Sequence, residues 1–322
     1  MLVRTRRGWE LPESAATPEA LVVGRRKGLG LIGGGIAAGL GVLGSLSGAG
    51  SARAQSAAVP GGLSPNPRFP PGRPTTPERN ATTYNNYYEF GDSKDVVSAA
   101  RKLKMDPWSI RFEGMVAQPR EIGLEDLLKQ VRMEERVLRH RCVETWAMTV
   151  PWTGFPLSEF VRLAQPSSGA KYLVLETAQQ PDVMPGLRQI WYSWPYIEGC
   201  TLAEAQNEMG FVATGMYGKP LPPQNGGPIR VLFPWKYGFK SGKSVVKVTF
   251  TDKRPVSFWE QLQSNEYGFW ANVNPAVPHP RWSQATERLL GSNERVPTQI
   301  FNGYGEFVAD LYKGLEGERL YT

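Results

Sequence analysis

The sequence predicts an α+β fold in which mixed or antiparallel sheets are joined by short helices. Strand and helix patterns are present but do not alternate regularly, no Gly-x-Gly-x-x-Gly follows a strand, and no internal repeat is found. Together these features disfavour doubly wound and barrel architectures built on a parallel sheet.

Taken in order, the chain opens on an export signal. Gly24-Arg25-Arg26-Lys27 precedes an uncharged run from Gly28 to Gly50 rich in Gly, Ala and Leu, and the small-residue site Ala52-Arg53-Ala54 follows. Paired arginines before a weakly apolar stretch fit a twin-arginine signal, with residues 1–54 removed after Ala54. Gly24 and Gly28-Leu29 depart from that signal's usual residues, and Arg6-Arg7 is discounted because no apolar run follows it. A permanent anchor is the rival, since 23 uncharged residues are long enough to span a bilayer. The formal charge of +7 falls to +3 without residues 1–54, which carry seven of 37 Lys+Arg and three of 30 Asp+Glu. No electrostatic footprint of a nucleic-acid binder remains.

Residues 55–80 are rich in Pro, Gly, Ser and Arg and should wrap the surface in extended form, with ordered structure starting near Thr82. Residues 81–322 are then a single domain. Trp108 to Val116 alternates as a strand, and Leu124 to Val131 reads as a short amphipathic helix. A strand covers Glu135–His140, a helix Leu157–Leu163 and a strand Lys171–Glu176. Thr201-Leu-Ala-Glu204 is a capping box opening a helix through Glu208. Two further strands are Ile229–Phe233 and Ser244–Thr251, the latter with Val246, Val248 and Phe250 on one face.

Four segments carry candidate chemistry. Cys142 is one of two cysteines and follows Arg139-His140-Arg141. A lone thiolate placed after basic residues is a candidate single ligand for a soft, high-valent metal. Its rivals are an inert buried thiol and a disulfide with Cys200. Zinc and iron-sulfur sites are disfavoured, because Cys142, Cys200, His140 and His279 show no metal-ligand spacing. Thr83-Tyr-Asn-Asn-Tyr-Tyr-Glu-Phe-Gly91 is either a turn into an aromatic core or a lid whose amides meet the edge of a flat heterocycle. Leu221 to Arg230 is a loop stiffened by proline and glycine. Pro234 to Ser244 brings Gly238, Ser241 and Gly242 among lysines, either as an anion-binding nest or as a solvated basic hairpin. For Lys236 and Lys240 individually the hairpin reading is preferred. Trp146, Trp152 and Trp235 read as core residues before they read as the walls of a substrate pocket.

With these segments in hand, the chain resembles the sulfite-oxidase-like molybdopterin family. The blocks Tyr84–Gly91, Arg141–Pro156, Leu221–Asn225 and Pro234–Lys240 stand in the family's order. The resemblance implies a sulfite-oxidase-like fold and one molybdenum–molybdopterin per chain, with Cys142 as the metal ligand. It places Asn85, Tyr88, Glu89 and Thr177 at pterin contacts, and Asn225, Arg230, Ser241, Gly242 and Lys243 at the cofactor's phosphate end. Arg141 either enters the substrate pocket or faces outward. Val143-Glu144-Thr145-Trp146 after the cysteine is similar to the reductase branch. That branch implies reduction of methionine sulfoxide in oxidised periplasmic proteins, with electrons from a membrane haem partner. A cofactor inserted into a folded protein also accords with twin-arginine export. Oxidation of a small sulfur compound and a non-catalytic exported binding protein are the alternatives.

Overall fold

A computed structural model describes residues 63–322, so the expected signal and the start of the Pro-rich segment lie outside the described residues. In chain order the elements are α1 (Glu78–Thr83), α2 (Val97–Ala100), β1 (Ser109–Gly114), β2 (Arg120–Gly123), α3 (Leu124–Leu128), β3 (Glu134–Arg141), β4 (Trp146–Pro156), α4 (Ser158–Ala164) and β5 (Tyr172–Thr177). There follow β6 (Ile197–Thr201), α5 (Leu202–Gln206), β7 (Phe211–Met216), β8 (Lys219–Pro220), β9 (Arg230–Leu232), β10 (Val245–Thr251), α6 (Phe258–Leu262), β11 (Thr286–Leu289), β12 (Arg295–Pro297) and α7 (Gly305–Val308).

Two mixed sheets result, which is the α+β architecture the sequence predicts. One has the order β2-β1-β10-β5-β6, with β1 parallel to β10 and the other pairs antiparallel. The other runs β12-β11-β4-β7-β8, with β3 added on β4 and β9 on β7. In β1, Ile110 and Phe112 are fully buried while Arg111 is exposed, as alternation across a half-buried strand requires. Phe160 of α4 lies between the sheets, 5.4 Å from the Phe112 ring and 5.7 Å from Phe155 of β4. Edge-to-face packing there joins both sheets into one core.

Several expectations need correction. Regular structure begins at Glu78, before Thr82, and the preceding residues are already bonded to the sheet: Asn66 N–H donates to Glu135 O at 2.8 Å and Thr76 N–H to Thr149 O at 2.8 Å. The helix capped by Thr201 does form the expected box but stops at Gln206, where Asn207 turns extended. In β10 a bulge between Val245 and Lys247 sends Val245 to the core with Val248 and Phe250, leaving Val246 half-buried.

Of the strands missing from the sequence reading, which include β2, β6, β7, β8, β11 and β12, the longest is β4, at 11 residues. It pairs with β3 along one edge and with β7 and β11 on the other, and nearly all its residues are buried. At its start, the turn Cys142–Thr145 joins it to β3. Among the described residues no helix is long and apolar enough to cross a membrane.

Candidate functional site: a cleft around Cys142

Strand alternation decides what surrounds Cys142. Along β3 successive side chains point to opposite faces, so His140 reaches the cleft while Arg139 and Arg141 do not. Cys142 N–H donates to Trp146 O at 2.9 Å, Thr145 N–H donates to Cys142 O at 3.1 Å, and Thr145 adopts φ +68°. This tight turn aims the sulfur into a cleft that it shares with Asn85, Tyr88, His140, Arg230 and Lys243.

Arg141 is the clearest correction among the expected site residues. It neither enters the cleft nor faces outward: it is fully buried, with Nε donating to Glu287 Oε2 at 2.8 Å and Nη2 to Gln284 Oε1 at 2.7 Å. Its Nη1 donates to the Cys142 carbonyl. The arginine therefore holds the turn from behind.

The electrostatic expectation for the cysteine changes with it. Burial, reinforced by the Glu144 carboxylate, pushes the Cys142 thiol up to about 12, and the backbone N–H of Glu144, Lys94 and Arg141 offset only part of this. A bare thiol here is protonated at neutral pH, and a bound metal cation is what would strip the proton. His140 is held well below the usual histidine range by burial, then by Arg230 and Lys243, and is neutral. Two groups not singled out from sequence lie on the sulfur: Asn86 Nδ2 donates to Sγ at 3.4 Å, and Glu144 N–H at 3.5 Å. The Glu144 carboxylate is held by Lys94 at 2.7 Å and by Trp146 Nε1 at 3.1 Å.

The loop after α1 forms one wall. Asn85, Tyr88 and Glu89 line the cleft, while Tyr87 turns into the core and donates to Ser244 Oγ at 2.6 Å. Thr177 stands behind this wall and donates to Glu89 Oε1 at 2.9 Å. Burial pushes the Glu89 carboxyl up, with Lys243 opposing.

Asn225, Arg230 and Lys243 line the cleft as well. Arg230 Nη1 donates to Asn225 O at 2.8 Å, but its Nε and Nη2 are buried without partners, as are Oδ1 of Asn85 and of Asn225. Burial pushes Arg230 down to about 10 and, with help from Arg230, Lys243 down to about 8. Among the described residues neither cation makes an ion pair within 4.0 Å. Buried donors left unmade are costly, so an anionic group rich in acceptors and donors fits this end.

The anion nest expected at Gly238, Ser241 and Gly242 is only partly met. Gly238 lines the cleft, and a Cβ there would come within 2.5 Å of His140 Nε2. Ser241 and Gly242 do not line it, because β9 uses them: Ser241 Oγ accepts from Phe233 N–H at 3.3 Å and Gly242 O from Val231 N–H at 2.9 Å. The solvated-hairpin reading of Lys236 and Lys240 also fails. Both are fully buried, paired with Glu204 at 2.5 Å and with Glu198 respectively.

Tyr196, Trp259 and Tyr267 complete the walls, and sequence reasoning did not find them. Trp146 lines the cleft, whereas Trp152 and Trp235 are core. Cys200 is buried in β6 and, like Cys142, is a free thiol, which removes the disulfide reading.

Residues 97–259 match the family described as oxidoreductase molybdopterin binding domain. The chain is 43% identical over 319 residues to the protein-methionine-sulfoxide reductase catalytic subunit MsrP of Burkholderia mallei, covering 98% of this chain and 96% of that one. It is 49% identical over 244 residues to the MsrP of Xanthomonas campestris pv. campestris, covering 74% and 76%. A solved structure, the sulfane dehydrogenase SoxCD of Paracoccus pantotrophus, aligns over 88% of this chain and 67% of its own at 14% identity, with a TM-score of 0.46.

Proposed function

The chain belongs to the oxidoreductase molybdopterin-binding family, and from that membership we infer that it is a molybdenum enzyme removing oxygen from methionine sulfoxide in proteins. The observation that carries the reading is a single buried thiol, Cys142, sharing a cleft with the unpartnered donors of Arg230 and the unpartnered amide oxygens of Asn85 and Asn225. When bound, the molybdenum–pterin group supplies oxygen-atom transfer.

The protein's own residues bind, orient and shield. Cys142 would give the protein's own ligand to the metal, and its turn is braced by Arg141. Asn85, Tyr88 and Glu89 would offer hydrogen-bonding edges to the pterin, with Thr177 orienting Glu89. Asn225, Arg230 and Lys243 would hold the phosphate end, where guanidinium geometry suits paired oxygens. Ser241 and Gly242 act through the backbone that positions Lys243. Tyr88, Trp259 and Tyr267 leave an aromatic mouth suited to a thioether-sized side chain.

Electrons come, in this reading, from a separate haem-containing membrane subunit, and the substrates are oxidised periplasmic proteins. Arg25-Arg26 and the Ala52-Arg53-Ala54 site support export of the folded chain by the twin-arginine route. Oxidation of a small sulfur oxyanion is disfavoured, since it calls for arginines converging on the metal, and Arg141 is spent on Glu287.

The test is metal analysis followed by turnover. One molybdenum per chain and reduction of methionine sulfoxide in preference to oxidation of sulfite are expected. A metal-free chain purified from cells that assemble the cofactor, or a preference for sulfite, would overturn the reading.

A further inference from the structure

The loop Gln189–Trp194 carries the most exposed large apolar side chains of the described residues, Ile190 at 94% and Trp191 at 66% exposure. Leaving such groups in water is unfavourable, and contiguous exposed apolar surface marks interaction sites. This loop is not a stray turn. Gly186, just before it, donates its N–H to Glu89 O at 2.8 Å, and a Cβ at Gly186 would collide with Tyr88 O. The loop is therefore fastened to the wall of the Cys142 cleft.

A continuous row of rings joins the two. Trp191 lies 6.1 Å from Tyr192, Tyr192 lies 5.9 Å from Tyr88, and Tyr88 lies 4.9 Å from Trp259. Tyr88 and Trp259 line the cleft. Behind the row, Trp194 and Tyr192 pack on Phe258 at 5.1 and 5.5 Å, which gives the exposed end a stiff base.

We propose that Ile190 and Trp191 form a docking surface for the polypeptide that flanks the oxidised methionine, and that this surface favours an apolar residue a few positions from it. The proposal rests on the sulfoxide-reductase reading. A side chain entering the cleft brings its backbone across the rim, so whatever stands at the rim meets the neighbouring residues. The ring path from Tyr88 to Trp191 is at most about 12 Å, or about three to four residues of extended chain. Exposed tryptophan on a stiff base is the residue type that anchors such contacts.

The experiment uses the molybdenum-loaded enzyme and three substrates: N-acetyl methionine sulfoxide amide, and two short peptides with a central methionine sulfoxide bearing either leucine or serine three and four residues away. The leucine peptide is expected to exceed the serine peptide in kcat/KM by on the order of tenfold, through KM. Trp191→Ala should abolish that ratio, and Trp191→Phe should restore most of it. Equal kcat/KM for both peptides with the unaltered enzyme, or an unchanged ratio in Trp191→Ala, overturns the proposal while leaving the reductase reading intact. An unchanged ratio accompanied by slower turnover with a haem-protein donor assigns the surface to electron delivery and likewise overturns it. Failure of the unaltered enzyme on all three sulfoxides sinks the underlying reading itself.

Discussion

Arg141 donates to Glu287 across 2.8 Å with both side chains fully buried, and Glu287 also pairs with Arg73 at 2.5 Å. The two ends of this pair are thus unequal. Glu287→Ala strands a buried guanidinium and should cost about 3–5 kcal/mol. Arg141→Met leaves Glu287 with Arg73 and should cost less, about 1–3 kcal/mol. Denaturant unfolding of both variants checks the order, and a larger loss in the arginine variant would contradict the arrangement.

Cys142→Ser should leave the chain folded and its molybdenum content near zero by elemental analysis, with turnover gone. Cys200→Ser should keep both metal and turnover, because Cys200 packs in β6 away from the cleft. Equal metal loss in the two variants would speak against Cys142 as the ligand.

Lys243 gives the cleft a pH signature. Its pKa is pushed down to about 8 by burial and by Arg230. Below that pH the ammonium is charged and attracts an anion, and above it the attraction is lost. Phosphate binding to the cofactor-free chain, followed by calorimetry, should weaken as pH rises through about 8. Lys243→Met should bind weakly at every pH and show no such step.

Glu204 is held by four donors: Lys236 Nζ at 2.5 Å, Tyr312 OH at 2.7 Å, and Thr201 N–H at 2.9 Å and Oγ1 at 3.2 Å. Burial alone would push its carboxyl up, yet Lys236, Tyr312 and the Thr201 backbone together keep it below its ordinary value. Its stabilising contribution is therefore present above the unfolded-state value and disappears as pH falls through the lower, folded one. Glu204→Ala should cost about 3–5 kcal/mol by leaving Lys236 buried and uncompensated. Pairing it with Lys236→Met should recover part of that loss in a double-mutant cycle.

Gly238→Ala probes the cleft wall. The added methyl meets His140 Nε2 at 2.5 Å, so ring or loop must shift. Cofactor retention should fall several-fold while the unfolding midpoint moves little.

How much of this was readable beforehand follows from burial geometry. β1 and β5 bury alternate residues and announce themselves by period two. β4 is buried on both faces, so it shows no alternation, and Pro151, Gly154 and Pro156 interrupt its aromatic and β-branched residues and mask their strand propensity. The same contrast divides the site. The Asn85–Glu89 loop and Arg230 stand out because amides and charged groups are unusual in a core, and Cys142 because it is one of two cysteines and follows a basic run. Tyr196, Trp259 and Tyr267 read as ordinary packing until the fold brings them together. The direction of Arg141 was within reach, since neighbours on a strand cannot share a face, but only once His140 is known to face the cleft.

The turn holding Cys142 is gripped from far along the chain: Trp282 Nε1 and Gln284 Nε2 both donate to Val143 O at 2.8 Å, and Arg288 N–H donates to Thr145 O at 2.7 Å. A nascent chain halted before Trp282 would expose the thiol without the brackets that fix it. The thiol is therefore expected to take up a metal only after the segment Trp282–Arg288 has been made and has folded back onto the turn, so maturation of the site lags behind formation of the strand that carries it.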